Sequence, residues 1–295
     1  MLLSEPHWLA RRAAHEQRVE PWLEPHLARR RRREAHPVED FLFTYYSFRP
    51  AQLRRWHPGF GVVLAGESAR PYLRTRGYGE VADGVTARAE RPESVRWIRD
   101  LLAATAGRPA FTGCLGLHEW AMVYRSDEVR HGSWPLRLGA AGTDRVVESN
   151  RIRCTHHDAF RFFTADAVPR NALQPSRDSQ LGLEQPGCLH ANMDLFKWSY
   201  KLTPLIPSEL VADCFAFAQE IRAVDMRASP YDLSALGYEP IAIETAAGKA
   251  SYIELQRGFS ERAQVLRAEL IRHCDDALSG RALSDEELST VDYMR

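Results

Sequence analysis

The sequence predicts a mixed, mainly helical α+β fold: one large domain with a small central β region. Three observations predict it. Stretches near residues 92–107, 208–228 and 249–279 place apolar residues at the 3/4 spacing of amphipathic helices, and 189–202 read at helical period is apolar nearly all round. Short β-rich runs separated by turn formers occupy the middle of the chain. The 295 residues, 44% hydrophobic and 26% charged, have the composition of a globular protein with enough chain to bury a core.

Residues 1–36 hold Arg11, Arg12 and the run Arg29 to Arg33, with Pro21 and Pro25 expected to interrupt any long helix. They read as an Arg-rich N-terminal arm, leaving 37–295 as the single catalytic domain. The segment His36 to Pro50 reads as one helix whose rings (Phe41, Phe43, Tyr45, Tyr46, Phe48) cover more than one face. Phe60 to Gly66 reads as a short strand or buried turn, and the glycine-rich Tyr72 to Gly84 as an irregular loop. Pro92 to Gly107 is an amphipathic helix stopped by glycine. The best β character lies between His131 and Phe163, in Trp134–Leu138, Arg145–Glu148 and Arg151–Thr155, with Thr155 placed to cap a helix from His156. Residues 164–187 are polar and proline-bearing and read as a long loop over a site. Ser208 to about Ala228 and Lys249 to Ser279 complete the helical scaffold.

The net charge is zero and the pI about 7.2, so the whole molecule is no electrostatic match for a polyanion, and any basic surface must be local. No window approaches the ~20 apolar residues of a membrane span. The start, Met-Leu-Leu-Ser-Glu-Pro-His-Trp, lacks a secretory leader and predicts a cytoplasmic protein. Five scattered cysteines with no CxxC pair predict reduced thiols, neither a disulfide frame nor a zinc ribbon.

The candidate site begins with Leu189 to Leu202, apolar nearly all round except for a stripe of His190, Asp194, Lys197 and Lys201. A helix with large rings on both flanks is expected to be buried, and buried ionisable groups must be paired, hydrogen-bonded or metal-bound. Asp225 falls on the apolar side of its own helix, where Arg222 or Arg227 is the ordinary partner. His118-Glu119 and His156-His157-Asp158 are the other clusters. His118, His156, His190 and Asp194 together suit a divalent transition metal, although no HExxH or paired ExxH motif stands in the chain. A satisfied core network, with Asp194 holding Lys197 or His190, is the alternative.

The segments His36 to Pro50, Gly116 to Arg125, Thr155 to Phe163, Gln185 to Trp198 and Asp225 to Leu233 resemble an actinobacterial family labelled 3-methyladenine DNA glycosylase, over nearly the whole chain. That resemblance implies hydrolysis of an N-glycosidic bond to a modified purine, in DNA or in a free nucleoside or nucleotide, without a cofactor. No catalytic position transfers by motif: the chain has neither a Leu-Pro-Gly-x-Gly hairpin nor a Cys/His zinc clip. Such a reaction needs a carboxylate to stabilise an oxocarbenium-like sugar and aromatic walls for the base. Asp194, Asp225 and Glu119 then become the carboxylate candidates and His190 orients water or base. Tyr46, Trp120 and Trp198 become the walls, with Lys197, Arg49 and Arg161 as further substrate contacts. Two readings stand beside it: a metal-dependent enzyme acting on a small metabolite, and a non-catalytic nucleic-acid-binding protein using the N-terminal arginines.

Overall fold

The computed structural model describes residues 1–126 and 133–280. The mainly helical α+β class holds, but the sheet is not where the β-rich runs predicted it. Strand β1 (Leu2–Leu3) starts the chain and leads into α1 (Glu5–Arg32), followed by the short helices α2 (Phe41–Tyr45) and α3 (Pro50–Arg54). Strand β2 (Val63–Leu64), a 3-10 turn over Glu67–Arg74, and the hairpin β3 (Tyr78–Val81) and β4 (Gly84–Ala87) come next. The remainder is helical: α4 (Pro92–Ala106), α5 (Leu117–Ala121), α6 (Gly139–Ser149), α7 (His157–Phe160), α8 (Gln180–Leu183), α9 (Leu189–Lys201), α10 (Ser208–Arg227) and α11 (Ala246–Ser279).

The sheet order is β1-β2-β4-β3, with β1 parallel to β2 and the other pairs antiparallel. The hairpin turns at Ala82-Asp83 and enters β4 at Gly84, whose φ is 149°. A Cβ there would sit 2.0 Å from the Leu64 carbonyl oxygen, so glycine is required by both conformation and space. The Asp83-Gly84 pair is the hairpin signal hidden in the segment read as an irregular loop.

The expected β region at 131–163 carries the helices α6 and α7 in place of strands. Gly142, Thr143, Val146 and Val147 are buried on one face of α6, a 3/4 spacing that two glycines and the Val-Val pair had disguised. Of the flanking runs only isolated bridges remain, Leu136 with Tyr231 and Ile152 with Asn171, while His131 and Gly132 lie outside the described residues. The residue preceding α7 is His156, not Thr155. The segment from His36 to Pro50 is split: α2 ends at Tyr45, and the extended backbone of Tyr46 (ψ 141°) turns the chain before α3.

Residues 1–36 are not an arm. Helix α1 runs straight through both prolines because its core face is continuous, with Trp8, His15, Val19, Leu23 and His26 buried, while Pro21 and Pro25 are exposed and leave their unpaired carbonyl partners toward water. β1 pairs with β2, and the Met1 ammonium donates to the Gly61 carbonyl at 2.8 Å. The arginine run is largely committed to ion pairs: Arg29 with Glu39 and Asp40, Arg31 with Glu24, Arg32 with Glu34.

Helix α9 forms the centre, packed against α10 and α11, with α4 laid on α11. Its Met193, Leu195 and Phe196 are essentially inaccessible, as the all-round apolar pattern predicts. All five cysteines are free. Among the described residues no helix is long and apolar enough to cross a membrane.

Two histidines far from the site make the fold acid-sensitive. Burial holds His57 and His273 down at about 3, with Arg55 and Arg272 respectively adding to the effect. Both are therefore neutral in the folded state, whereas the unfolded chain protonates them near the ordinary value of 6.5. Stability is fully present above that value and falls as pH drops from it toward 3. The loss is about 1.4 kcal/mol per pH unit for each residue, so roughly 2 kcal/mol each at pH 5. Urea unfolding of His273→Gln is expected to show a pH slope shallower by that single-residue amount; an unchanged slope would contradict the assignment.

Candidate metal centre

Six side chains able to ligate a metal converge in two buried groups: His118, His190 and Asp225 in one, His156, Glu184 and Asp194 in the other. Within each group the offered atoms lie within 4.8 Å of one another. The ring of His190 stands between them, 4.4 Å from the His118 ring in an edge contact and 5.4 Å from the His156 ring in a stacked one.

Each group gathers residues from distant parts of the chain. Short α5 presents His118 and Glu119 after a left-handed turn at Leu115 and Gly116, where an added Cβ on Gly116 would come within 3.3 Å of the Ala228 Cβ. Asp225 comes from the buried face of α10, His156 from the cap of α7, and Glu184 from the residue that ends α8. Helix α9 supplies His190 from its first turn and Asp194 from its second. The i, i+4 pair on α9 therefore does not chelate one ion: His190 joins His118 and Asp225, while Asp194 joins His156 and Glu184.

In the first group His118 Nε2 lies 3.0 Å from Asp225 Oδ1, yet the two atoms miss hydrogen-bond alignment and neither has another partner. The second oxygen of Asp225 accepts from Arg222 Nη1 at 3.0 Å. That same nitrogen donates to Glu119 Oε1 at 3.0 Å, and the guanidinium covers the Phe41 ring at 3.8 Å. The ordinary ion pair expected for Asp225 is thus present, but it occupies only one of its oxygens. Buried polar atoms at contact distance and unbonded are costly, and a cation between them removes the cost.

Charges follow from this crowding. Burial opposes charge on Asp225, but His118 beside it outweighs burial and holds the carboxyl well below the usual range. Likewise burial opposes a proton on His118, and Asp225 overrides it, raising that ring well above the ordinary histidine value. A proton and a divalent ion compete for the same lone pair. His190 is held neutral by burial and by His118, which leaves its lone pair available.

The second group is threaded into a polar network. Tyr46 donates to Asp194 Oδ1 at 2.8 Å, and Lys197 Nζ bridges Asp194 Oδ2 at 2.9 Å and Asp158 Oδ2 at 2.7 Å. Burial works against the ionised Asp194, and Lys197 followed by His156 overcomes it, keeping the carboxyl well below the normal range. Tyr46→Phe removes a donor from a buried carboxylate, so a loss of about 1.5–3 kcal/mol is expected in denaturant unfolding. A change near zero would show that the carboxylate is satisfied without it.

A pocket of about 210 Å³ reaches the first group through His190, with His118 and Asp225 outside its lining. Phe41, Tyr45 and Phe162 form apolar walls, and His190, Glu119, Asp158 and Arg222 supply the polar lining. Asp194 and Asp225 lie behind this lining, so of the four carboxylate and imidazole candidates His190 and Glu119 reach the pocket directly. Of the expected substrate contacts, Arg161 sits at the rim, stacked on Phe162 at 4.4 Å and 3.3 Å from Asp158. Tyr46 and Lys197 stand behind the wall as partners of Asp194. Trp120 is wholly buried and donates to the Ala228 carbonyl at 2.9 Å, which makes it core. Trp198 lines a different cleft of about 640 Å³ with Trp97 and Lys201, and Arg49 is exposed at the start of α3.

Glu184 is the ligand candidate that sequence reasoning missed. It is 2% exposed, yet it stands in the polar stretch read as a loop, where no periodicity distinguishes an inward carboxylate from a solvated one. The fold and site together define a helical α+β protein with buried histidine and carboxylate groups of metal-ligating type beside an aromatic-walled pocket. Comparison with family models, with curated proteins and with solved structures finds no match to this chain.

Proposed function

We propose that the chain is a metal-dependent enzyme, with a divalent transition ion held by His118, His190 and Asp225 and a small, planar, polar substrate bound in the adjoining pocket. The His118–Asp225 contact carries the reading: two buried atoms of ligating type, 3.0 Å apart, poorly aligned for a direct hydrogen bond, with His190 beside them. Two imidazoles and one carboxylate leave coordination positions open, the pattern of catalytic rather than structural sites. An ion bound there supplies a water of lowered pKa or a Lewis acid.

The protein's own groups perform the remaining tasks. Arg222 fixes Asp225 through the oxygen directed away from His118 and presents its charge to the pocket. Glu119, reaching the pocket while paired to Arg222, is placed to accept a proton from a bound water. Phe41, Tyr45 and Phe162 hold a flat ring and exclude bulk solvent. Hydrolysis is the reaction class this arrangement supports best. N-glycosyl compounds of modified purines are the first substrates to test, because the aromatic walls fit an expelled base and the sequence resembles the glycosylase family.

The test is release of free base from a panel of modified nucleosides and alkylated DNA, followed chromatographically. Protein stripped with chelator is compared with protein reloaded with Zn(II), Mn(II), Co(II) or Fe(II). Turnover that disappears on stripping and returns on reloading is expected. Turnover indifferent to chelation would overturn the metal assignment, and oxygen consumption coupled to turnover would replace hydrolysis with oxidation.

A further inference from the structure

The geometry points to a second metal ion, held by His156, Glu184 and Asp194, one imidazole ring away from the first. This deepens the function proposed above and rests on it.

Both ring nitrogens of His156 are buried without a hydrogen bond, although the side chain is only 1% exposed. Its Nε2 lies 3.3 Å from Asp194 Oδ2 and 3.5 Å from Glu184 Oε1, nearly equidistant and well aligned for a hydrogen bond with neither. An imidazolium paired to one carboxylate directs its N–H along the bond to one oxygen. Here the nitrogen instead faces the space between two carboxylate oxygens, the arrangement of three ligands around a shared centre. Burying two carboxylates together is expensive without positive charge; Lys197 answers Asp194 from one side, while among the described residues Glu184 has His156 as its ion-pair partner.

The surrounding donors take one lone pair of each facing oxygen: Lys197 donates to Asp194 Oδ2 at 2.9 Å and Gln180 to Glu184 Oε1 at 2.6 Å, so each oxygen keeps a second lone pair toward His156. Tyr46 holds the far oxygen of Asp194, whereas Gln180 holds the same Glu184 oxygen that faces His156, and both orient their carboxylates as hydrogen bonds from outside do around metal ligands. The positive charge of Lys197 is divided between Asp194 and Asp158. Arg161 also meets Asp158. Glu184 receives the neutral amide of Gln180 and faces His156. One imidazole with two carboxylates is a hard, oxygen-rich set that favours Mn(II), Fe(II) or Zn(II) over thiophilic ions. Since His190 touches the rings of both His118 and His156, occupation of one centre constrains the other.

The experiment is metal stoichiometry of the full chain, stripped and reloaded with Co(II). It is read by elemental analysis and by the visible absorption of His-ligated cobalt, in the wild type, Glu184→Gln, His156→Ala and Asp225→Asn. Two equivalents are expected in the wild type and one in each variant, with Glu184→Gln and Asp225→Asn losing different absorption components. Glu184→Gln is nearly isosteric and keeps the measurement decisive if His156→Ala fails to fold. One wild-type equivalent, lost in Asp225→Asn and retained in Glu184→Gln, overturns the second ion and leaves the proposed function standing. Two equivalents that Glu184→Gln does not reduce also overturn it, by placing the second ion elsewhere. No bound cobalt in the wild type overturns both.

Discussion

Asp225→Asn is expected to fold, to lose its tightly bound ion, and to lose turnover on the order of 10³-fold. The size follows from a metal contribution of several kcal/mol to the transition state, at about 1.4 kcal/mol per factor of ten. The fold survives because Arg222, 2% exposed in its side chain, keeps Glu119 as counter-charge when the carboxylate of Asp225 becomes an amide. The comparison that gives the result meaning is Glu119→Gln, which leaves all six proposed ligands in place. It is expected to keep the ion while slowing turnover, separating loss of metal from loss of a proton acceptor. Equal metal content in Asp225→Asn and wild type would show that the His118–Asp225 contact is an ion pair and nothing more.

Deletion of residues 1–33 is expected to prevent folding altogether. Trp8 is wholly buried against Trp56 and Tyr72, at ring separations of 6.4 and 6.0 Å, and Val19 and Leu23 belong to the main core. Removing Trp8 alone is worth about 3–5 kcal/mol by analogy with large core truncations. The deletion also strips β1 from the sheet and exposes the face of α10 that pairs with Arg11 and Arg18 through Glu209 and Asp213. A marginally stable domain does not survive losses of that total. Circular dichroism and hydrodynamic size of the truncated chain decide it. A compact, helical product with a cooperative unfolding transition would restore the independent-arm reading.

The contrast between α1 and α9 shows what could be read in advance. Helix α9 was legible because its apolar residues recur on every side, which forces burial and makes its charged stripe conspicuous. Helix α1 was not, because proline propensity argues locally against it and only contacts with Trp56, Leu53 and α10 reveal why the helix continues. The sheet escaped for a related reason. Its strands are two to four residues long, too short for alternation to register, and they pair residues 2–3 with 63–64 across an entire helix.

In the site, His190, Asp194 and Asp225 stood out as ionisable groups on otherwise apolar helices, and His118 and His156 as members of histidine–carboxylate clusters; all five are buried or partly buried around the two groups. Their partition between two centres was not legible. Spacing on α9 places His190 and Asp194 on one face, but α5 and α10 meet the first turn while α7 and α8 meet the second. Trp120 and Trp198 were misplaced because an aromatic ring carries no mark that separates a pocket wall from core. Glu184 needed the tertiary fold, since only contact with His156 distinguishes it from its solvated neighbours.

The most direct measurement of the central claim is anomalous X-ray scattering from crystals of the protein reloaded with Zn(II), collected on both sides of the metal edge. A peak within about 2.0–2.2 Å of His118 Nε2, a His190 ring nitrogen and an Asp225 oxygen is the expected result. Zinc absent from that position, with His118 hydrogen-bonded directly to Asp225, would contradict the account.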